Sequence, residues 1–190
     1  ANRNLTRLYL PSSLKTIGEQ AFRSCTGLLS VLLPSTLENV GAHAFYRCTQ
    51  LTVYSDAQSV PESWDTRWNS SFRPVMLGCT LSEDGSYVVS VTINESLMLN
   101  VERLSESGDS APVLGNNRFS SPSRRGYNFS GWTTQADGTT PELTGSDIAD
   151  LPEGTTLYTV WEVETEEPDD EEPGEGEIDW PWSDVPSLWS

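Results

Sequence analysis

Side chains able to do chemistry are few in this sequence, and their spacing is poor for it. His43 is the only histidine, so no two-histidine metal site can form and no Ser/His/Asp set finds a frame. It stands between Ala42 and Ala44, where an earlier copy of the same motif carries Gln20, and reads as a variable loop position. The cysteines are Cys25, Cys48 and Cys79. An odd count argues against a disulfide framework, and the absence of C-x-x-C or a Cys/His cluster argues against zinc. The acids Asp169, Asp170, Glu171 and Glu172 lack the D-x-[DN]-x-[DN]-G spacing of a calcium loop. The glycine-containing turns do not spell a phosphate-binding loop. Four N-x-S/T triplets begin at Asn4, Asn69, Asn94 and Asn128; they matter only in a eukaryotic secretory pathway. The expectation is therefore a non-enzyme, with no catalytic, cofactor or metal residue assigned.

Charge narrows the partners. The chain has 190 residues and a formal net charge of −17. Residues 164–190 hold eleven acids and no Lys or Arg, so most of the excess sits there. No basic patch exists to neutralise phosphates, which disfavours nucleic acid, and anionic membrane surfaces are disfavoured for the same reason. No run of about 18 apolar residues could span a bilayer as a helix. A signal peptide is not visible, which is expected if the true N-terminus is missing.

The element that organises everything else is a repeat. LTRLYLPSSLKTIGEQAFRSCTG runs from Leu5 to Gly27, and LLSVLLPSTLENVGAHAFYRCTQ from Leu28 to Gln50. A third copy opens as LTVYSDA at Leu51 and then breaks off. A period of 23 residues between starts is the mark of a solenoid. Leu5, Leu8 and Leu10 match Leu28, Val31 and Leu33; Leu14 and Ile17 match Leu37 and Val40; Ala21, Phe22 and Cys25 match Ala44, Phe45 and Cys48. L-x-x-L-x-L predicts a short strand with alternate side chains inward. Pro11 and Pro34 end it, and Gly18 and Gly41 fit a tight turn. One coil cannot bury its inward face alone, so neighbouring coils must share one dry interior. Cys25 and Cys48 share a column, where cysteine acts as a small buried hydrophobe. Stacking brings such sulfurs near each other, but two free thiols are the favoured reading.

The pattern L-x-x-L-x-L-P…L-x-x-I-G…A-F-x-x-C resembles the BspA-type leucine-rich repeat of bacterial surface proteins. YSDAQSVPESWDTRWNSSFRPV resembles the closing segment of such arrays, through Trp64, Trp68, Asn69, Pro74 and Val75. The tryptophans are large enough to cover the last apolar layer. The chain opens in mid-pattern, which suggests the C-terminal portion of a longer array.

From Val75 the period is lost. VMLGCTLSEDGSYVVSVTI reads as two strands around the turn Ser82–Gly85. Residues 94–121 drift from an apolar start into loop chemistry. Tyr127, Phe129 and the pair Gly131–Trp132 then form a strand. A turn follows at Ala136–Gly138, and Ser146 or Asp147 could cap a helical turn over Ile148 to Leu151. A last strand spans Thr156 to Trp161, with Leu157, Thr159 and Trp161 on one face. This stretch resembles the Listeria–Bacteroides (internalin B-type) repeat, on Pro122, Arg125, Gly126, Tyr127, Phe129, Gly131, Trp132, Gly154, Thr155, Leu157, Tyr158 and Trp161. Thr159 and Val160 depart mildly from that pattern. The resemblance implies a small β-grasp-like domain. Tyr127, Phe129, Trp132, Tyr158 and Trp161 could form a carbohydrate platform, but are read as the core of a small domain.

The tail is too polar and charged to order itself. Ser183–Asp184–Val185–Pro186 and Trp189 carry a faint likeness to the start of an S-layer homology domain, a cell-wall anchoring unit.

The fold expected is mostly β: residues 1–75 a leucine-rich-repeat solenoid with strand plus loop or short helical turn per repeat, residues 76–163 a β-rich module ending in the second repeat type over about 121–162, and residues 164–190 a disordered acidic linker. The function expected is non-catalytic binding or adhesion by a secreted bacterial cell-surface protein, toward a protein or glycan on a host or neighbouring cell. The alternative is a stalk that displays another domain, or part of a larger wall enzyme. Attachment to the wall would lie beyond the chain's C-terminal end. Outward residues of the repeat strands form the expected contact face: Arg7, Tyr9, Ser30, Leu32, Thr52 and Ser55.

Overall fold

The computed structural model describes residues 2–93, 120–143 and 151–165. The expected helical turn before Leu151, the loop chemistry of 94–119 and the tail from residue 166 lie outside them.

Each coil contributes one strand to a parallel sheet: β1 (Arg7–Leu8), β3 (Ser30–Leu33), β5 (Thr52–Ser55) and β6 (Val75–Met76), in the order β1-β3-β5-β6. Pro34 stops β3 at Leu33 as expected of a residue without an N–H. A second parallel pair, β2 (Thr16–Ile17) and β4 (Asn39–Val40), forms where the sequence showed only an apolar doublet. Among the described residues the repeat has no helix; turns take its place.

The period shortens at the third coil. Arg7 pairs with Ser30, an offset of 23, but Ser30 pairs with Thr52 and Leu33 with Ser55, an offset of 22. This corrects the assignment of Ser55. It stands in line with inward Leu33 and is buried, and Tyr54 takes the outward place beside Leu32. One residue lost between Leu51 and Val53 flips every later side chain to the opposite face.

The glycine columns also act differently from expectation. Gly18 and Gly41 accept the turn hydrogen bonds from Ala21 and Ala44, but the left-handed residues are Gln20 (φ 56°) and His43 (φ 56°), with Ser24 and Arg47 one turn on. A Cβ at Gly41 would stand 2.5 Å from the Glu19 nitrogen, whereas one at Gly18 would meet nothing within 4 Å. Gly41 is therefore there for close approach of the coil beneath. The left-handed positions cost roughly 1–2 kcal/mol each. They let Gln20, Phe22 and Ser24 donate in turn to Ala42, Ala44 and Tyr46 of the next coil, so alternate amides form a ladder between loops.

Inside, Phe22 and Phe45 stack with ring centroids 5.4 Å apart and 10° between planes. Trp68 meets Phe45 edge-on at 6.3 Å, and Trp64 meets Trp68 at 5.1 Å. Both tryptophans are buried, and Trp64 Nε1 donates to the Leu37 carbonyl. Cys25, Cys48 and Cys79 are free and buried.

The second sheet is antiparallel, β7 (Thr80–Leu81), β8 (Val88–Thr92), β10 (Thr156–Val163) and β9 (Tyr127–Thr133), in the order β7-β8-β10-β9. The turn between β7 and β8 closes by Gly85 donating to Ser82, with Gly85 at φ 69°. Pairing between β10 and β9 slips at Val160/Trp161, leaving Ser130 unpaired beside Gly131. Gly131 has no room for a side chain: a Cβ would lie 2.6 Å from Pro141 Cβ. The extra residue lies on β9, and on β10 the side chains of Thr159 and Trp161 stay on one side, where Trp161 Nε1 donates to Thr159 Oγ1 at 2.7 Å. Leu157 and Val160 are buried, and Trp161 is only partly so.

The solenoid has two dry sides. Its inward residues form one core. Its outward Leu32, Tyr54 and Met76 join Val88, Val91, Trp132 and Leu157 in a second. The expected boundary at 75/76 consequently cuts through β6, a strand of the solenoid sheet whose two residues face different cores.

Candidate binding cleft

The outward solenoid face is largely occupied by the chain itself. Ser30 Oγ shares a hydrogen bond with Ser123 Oγ at 2.8 Å, Thr52 Oγ1 accepts from the Ser120 amide at 2.9 Å, and Tyr54 O–H donates to the Ser120 carbonyl at 2.6 Å. Ser30, Thr52 and Ser55 are buried, and Leu32 is packed against the second core. As an open contact face, Ser30, Leu32 and Thr52 are corrected: the segment from Ser120 to Ser123, distant in sequence, and the second core lie over this face, although Ser30 and Leu32 still border the adjoining cleft, and Ser55 is buried because it faces inward. Arg7 and Tyr9 remain partly accessible. Arg7 reaches Asn128 Oδ1 at 3.4 Å and pairs with Glu164 at 3.7 Å.

Where the cover ends, a cleft of about 580 Å³ opens between the two sheets. One wall is the solenoid from Leu8 to Pro11, the other the β7–β8 turn at Asp84, Ser86 and Tyr87, and the end is closed by Arg124, Arg125 and Tyr127. A turn positions the arginines. Tyr127 donates back to the Arg124 carbonyl at 3.3 Å across Gly126, whose φ of 75° suits glycine. The Arg124 guanidinium lies 3.6 Å from the Tyr127 ring centroid and 4.1 Å from that of Tyr87. Arg125 lies 5.1 Å over Tyr9. Among the described residues neither arginine has a carboxylate partner. Asp84 accepts from Ser82 Oγ, the Ser86 amide and Ser86 Oγ at 2.6, 3.1 and 2.7 Å. These donors, Ser82 first, pull its carboxyl down to about 2, so it is ionised at neutral pH.

The aromatic residues of the expected core divide between two tasks. Phe129 packs edge-on against Trp132 and Trp161 at 5.2 and 5.3 Å, and Trp132 is fully buried. Tyr127 turns to the cleft instead. Sequence reasoning named Arg125 only as a resemblance position, and Tyr127 as a strand residue read as core rather than as part of a carbohydrate platform. It missed Arg124, Tyr87 and Asp84, since nothing in their spacing brings a hairpin turn against a distant Arg-Arg pair.

Elsewhere the chemistry stays sparse. His43 Nδ1 lies 2.8 Å from Ser70 Oγ, a pair unseen in the sequence. Among the described residues no carboxylate is hydrogen-bonded to its other nitrogen, so the base has no orienting group. Burial raises the thiol of Cys48 to about 11 and that of Cys79 to about 12, which keeps both protonated at neutral pH and poor nucleophiles. Among the described residues no three His, Cys, Asp or Glu side chains gather as a metal site, and no helix is long and apolar enough to cross a membrane.

A coil of about 23 residues, with its strand, its proline stop, its close-packed glycine and its stacked phenylalanines, is a repeat geometry in itself. Residues 1–73 match the family model of the BspA type Leucine rich repeat region (6 copies). No curated protein and no solved structure matches the chain. The BspA-type region therefore takes in the inward Phe22–Phe45–Trp68 stack and one wall of the cleft, and ends just before β6. Repeats of this type are typical of surface proteins.

Proposed function

We propose that this chain is a non-catalytic recognition segment of a secreted bacterial cell-surface protein, and that it binds its partner in the cleft between the repeat solenoid and the β module. The observation that carries the reading is the pair of arginines held on tyrosine rings in that cleft without a carboxylate partner among the described residues. The rest of the outward strand face is spent on the second core, so recognition concentrates at its open end. The β module reads as a Listeria–Bacteroides repeat of β-grasp-like form, because Tyr127, Phe129, Gly131, Trp132, Leu157 and Trp161 all fall on the paired strands β9 and β10. Residues 166–190 serve as an acidic spacer toward an anchor at the wall. The partner is a protein or glycan displayed on a host or neighbouring cell.

Beads coated with the chain should retain intact cells. Pro11→Trp, which fills the cleft from an exposed rim position, should abolish retention, while Arg47→Gln on the loop side should not. Equal retention by all three proteins would overturn the reading.

A stalk is the second reading. It is favoured by the joint itself, where Arg7 of the first coil ties to both Asn128 and Glu164 and stiffens the link. If the chain only spaces other domains, coated beads retain no cells.

A further inference from the structure

The cleft holds charges of both signs and keeps them apart. Arg124, Arg125 and Asp84 all line it, yet no N–O distance between them falls within ion-pair range among the described residues. Unlike charges on facing walls would normally close on each other. Here each is held by its own neighbours: Arg124 by the Tyr87 and Tyr127 rings, Arg125 over Tyr9, and Asp84 by the serines of its turn. A guanidinium held over tyrosine rings with no carboxylate partner has N–H groups to offer a ligand, and a carboxylate can take two of them in parallel hydrogen bonds.

We propose that the cleft is a site for a carboxylated saccharide, with the sugar carboxylate on the Arg124–Arg125 edge and ring hydroxyls donating to Asp84; this rests on the cleft being the recognition site. The opposed charges select the ligand. A fixed carboxylate in the same cavity repels a dianion such as a phosphate monoester, so a singly charged acid fits best. Between the two ends the lining offers hydroxyls, on Ser86, Ser123 and Tyr9, over the apolar surfaces of Leu10 and Pro122. Hydroxyls both donate and accept, which suits sugar hydroxyls. The volume of about 580 Å³ is that of a small-molecule site and takes a short saccharide end. A peptide would instead want a row of backbone amides, which the charged end of the cleft does not supply.

Isothermal titration of the full chain tests this, with galacturonate, its methyl ester, neuraminyl-lactose, lactose and an acidic hexapeptide as probes. At least one of the two acidic saccharides should bind, and the methyl ester and lactose should bind at least about tenfold more weakly. Arg125→Gln and Arg124→Gln should each weaken the acidic sugar about tenfold or more. Asp84→Asn should weaken it less, and Arg47→Gln not at all. Arg125 is exposed, so its variant keeps the test valid if Arg124→Gln unfolds. No heat with either acidic saccharide, equal affinity for ester and acid, or binding of the hexapeptide alone overturns the proposal. The two readings fail separately. Cells retained on coated beads after enzymatic removal of acidic sugars would sink the saccharide and leave recognition standing. Titrated binding of the acidic sugar without cell retention would do the reverse.

Discussion

Cys48 and Cys79 spend their hydrogens on the backbone. Cys48 Sγ donates to the Phe22 carbonyl at 3.0 Å, and Cys79 Sγ to that of Met76 at 3.3 Å. Burial is the main reason their thiols rise to about 11 and about 12. An unfolded thiol titrates near about 8.5, so the folded chain holds these protons more tightly. The stability they represent is complete below that value and is lost as pH climbs through the folded one. The urea midpoint should therefore stay level up to about pH 8.5 and decline toward pH 11 and beyond, and Cys48→Ala with Cys79→Ala should flatten the decline. Iodoacetamide at pH 8 gives a second measurement, with labelling of the folded chain slower than in urea by on the order of a hundredfold. Labelling of all three cysteines at equal rates in both states would contradict the burial. Phe45 is the residue on which the solenoid core turns, stacked on Phe22 and capped by Trp68. Phe45→Ala should cost about 3–5 kcal/mol in urea unfolding.

Coils stack because their loops come close, and the two glycines of one column do not share that burden equally. Gly41 has backbone from Glu19 within 2.5 Å of where a Cβ would stand, and Gly18 has open space. Gly41→Ala should lower stability by about 1–3 kcal/mol, while Gly18→Ala should leave it within about 0.5 kcal/mol or raise it slightly by restricting the unfolded chain. Urea titration of the pair decides it, and equal effects would mean the coils are not in contact there. The column was legible in the sequence, because stacking demands the same residue types at the same step. So were the strand stop at Pro34, the tryptophan cap and the β7–β8 turn, whereas β1 ends at Leu8, short of Pro11. The single-residue shortening of the third coil was not. L-T-V-Y-S offers apolar residues at Leu51 and Val53, and alternation alone fits either register until pairing with Leu33 fixes it. The left-handed backbone at Gln20, Ser24, His43 and Arg47 was hidden too. No glycine marks those positions, and their strain is offset by hydrogen bonds to a neighbouring coil that local sequence does not reveal.

The joint between the two sheets was the least legible feature, for a physical reason. A mixed face of Ser30, Leu32, Thr52 and Tyr54 is what any interaction surface looks like, and its composition cannot say whether the partner is another protein or a later part of the same chain. The structure gives the answer in contacts that cross 66 to 93 residues of sequence, Tyr54 to Ser120 and Ser30 to Ser123. Leu32, Tyr54 and Met76 share a core with Val88, Val91 and Trp132, so the sheets should unfold together. Leu32→Asp places a charge in that core without touching the inward stack. It should split a single thermal transition into two and enlarge the radius of gyration, both readable on one sample by calorimetry and small-angle scattering. Tyr54→Phe removes only the hydroxyl bonded to Ser120, and should cost about 0.5–1.5 kcal/mol with the transition still single. The cleft exists only because the joint is closed: Tyr9 comes from one sheet, Tyr87 and Tyr127 from the other. A Leu32→Asp chain that melted in one step would show that the Leu32 core is not what couples the two sheets, and one that kept its affinity for an acidic sugar after the sheets had parted would show that the cleft does not need the joint.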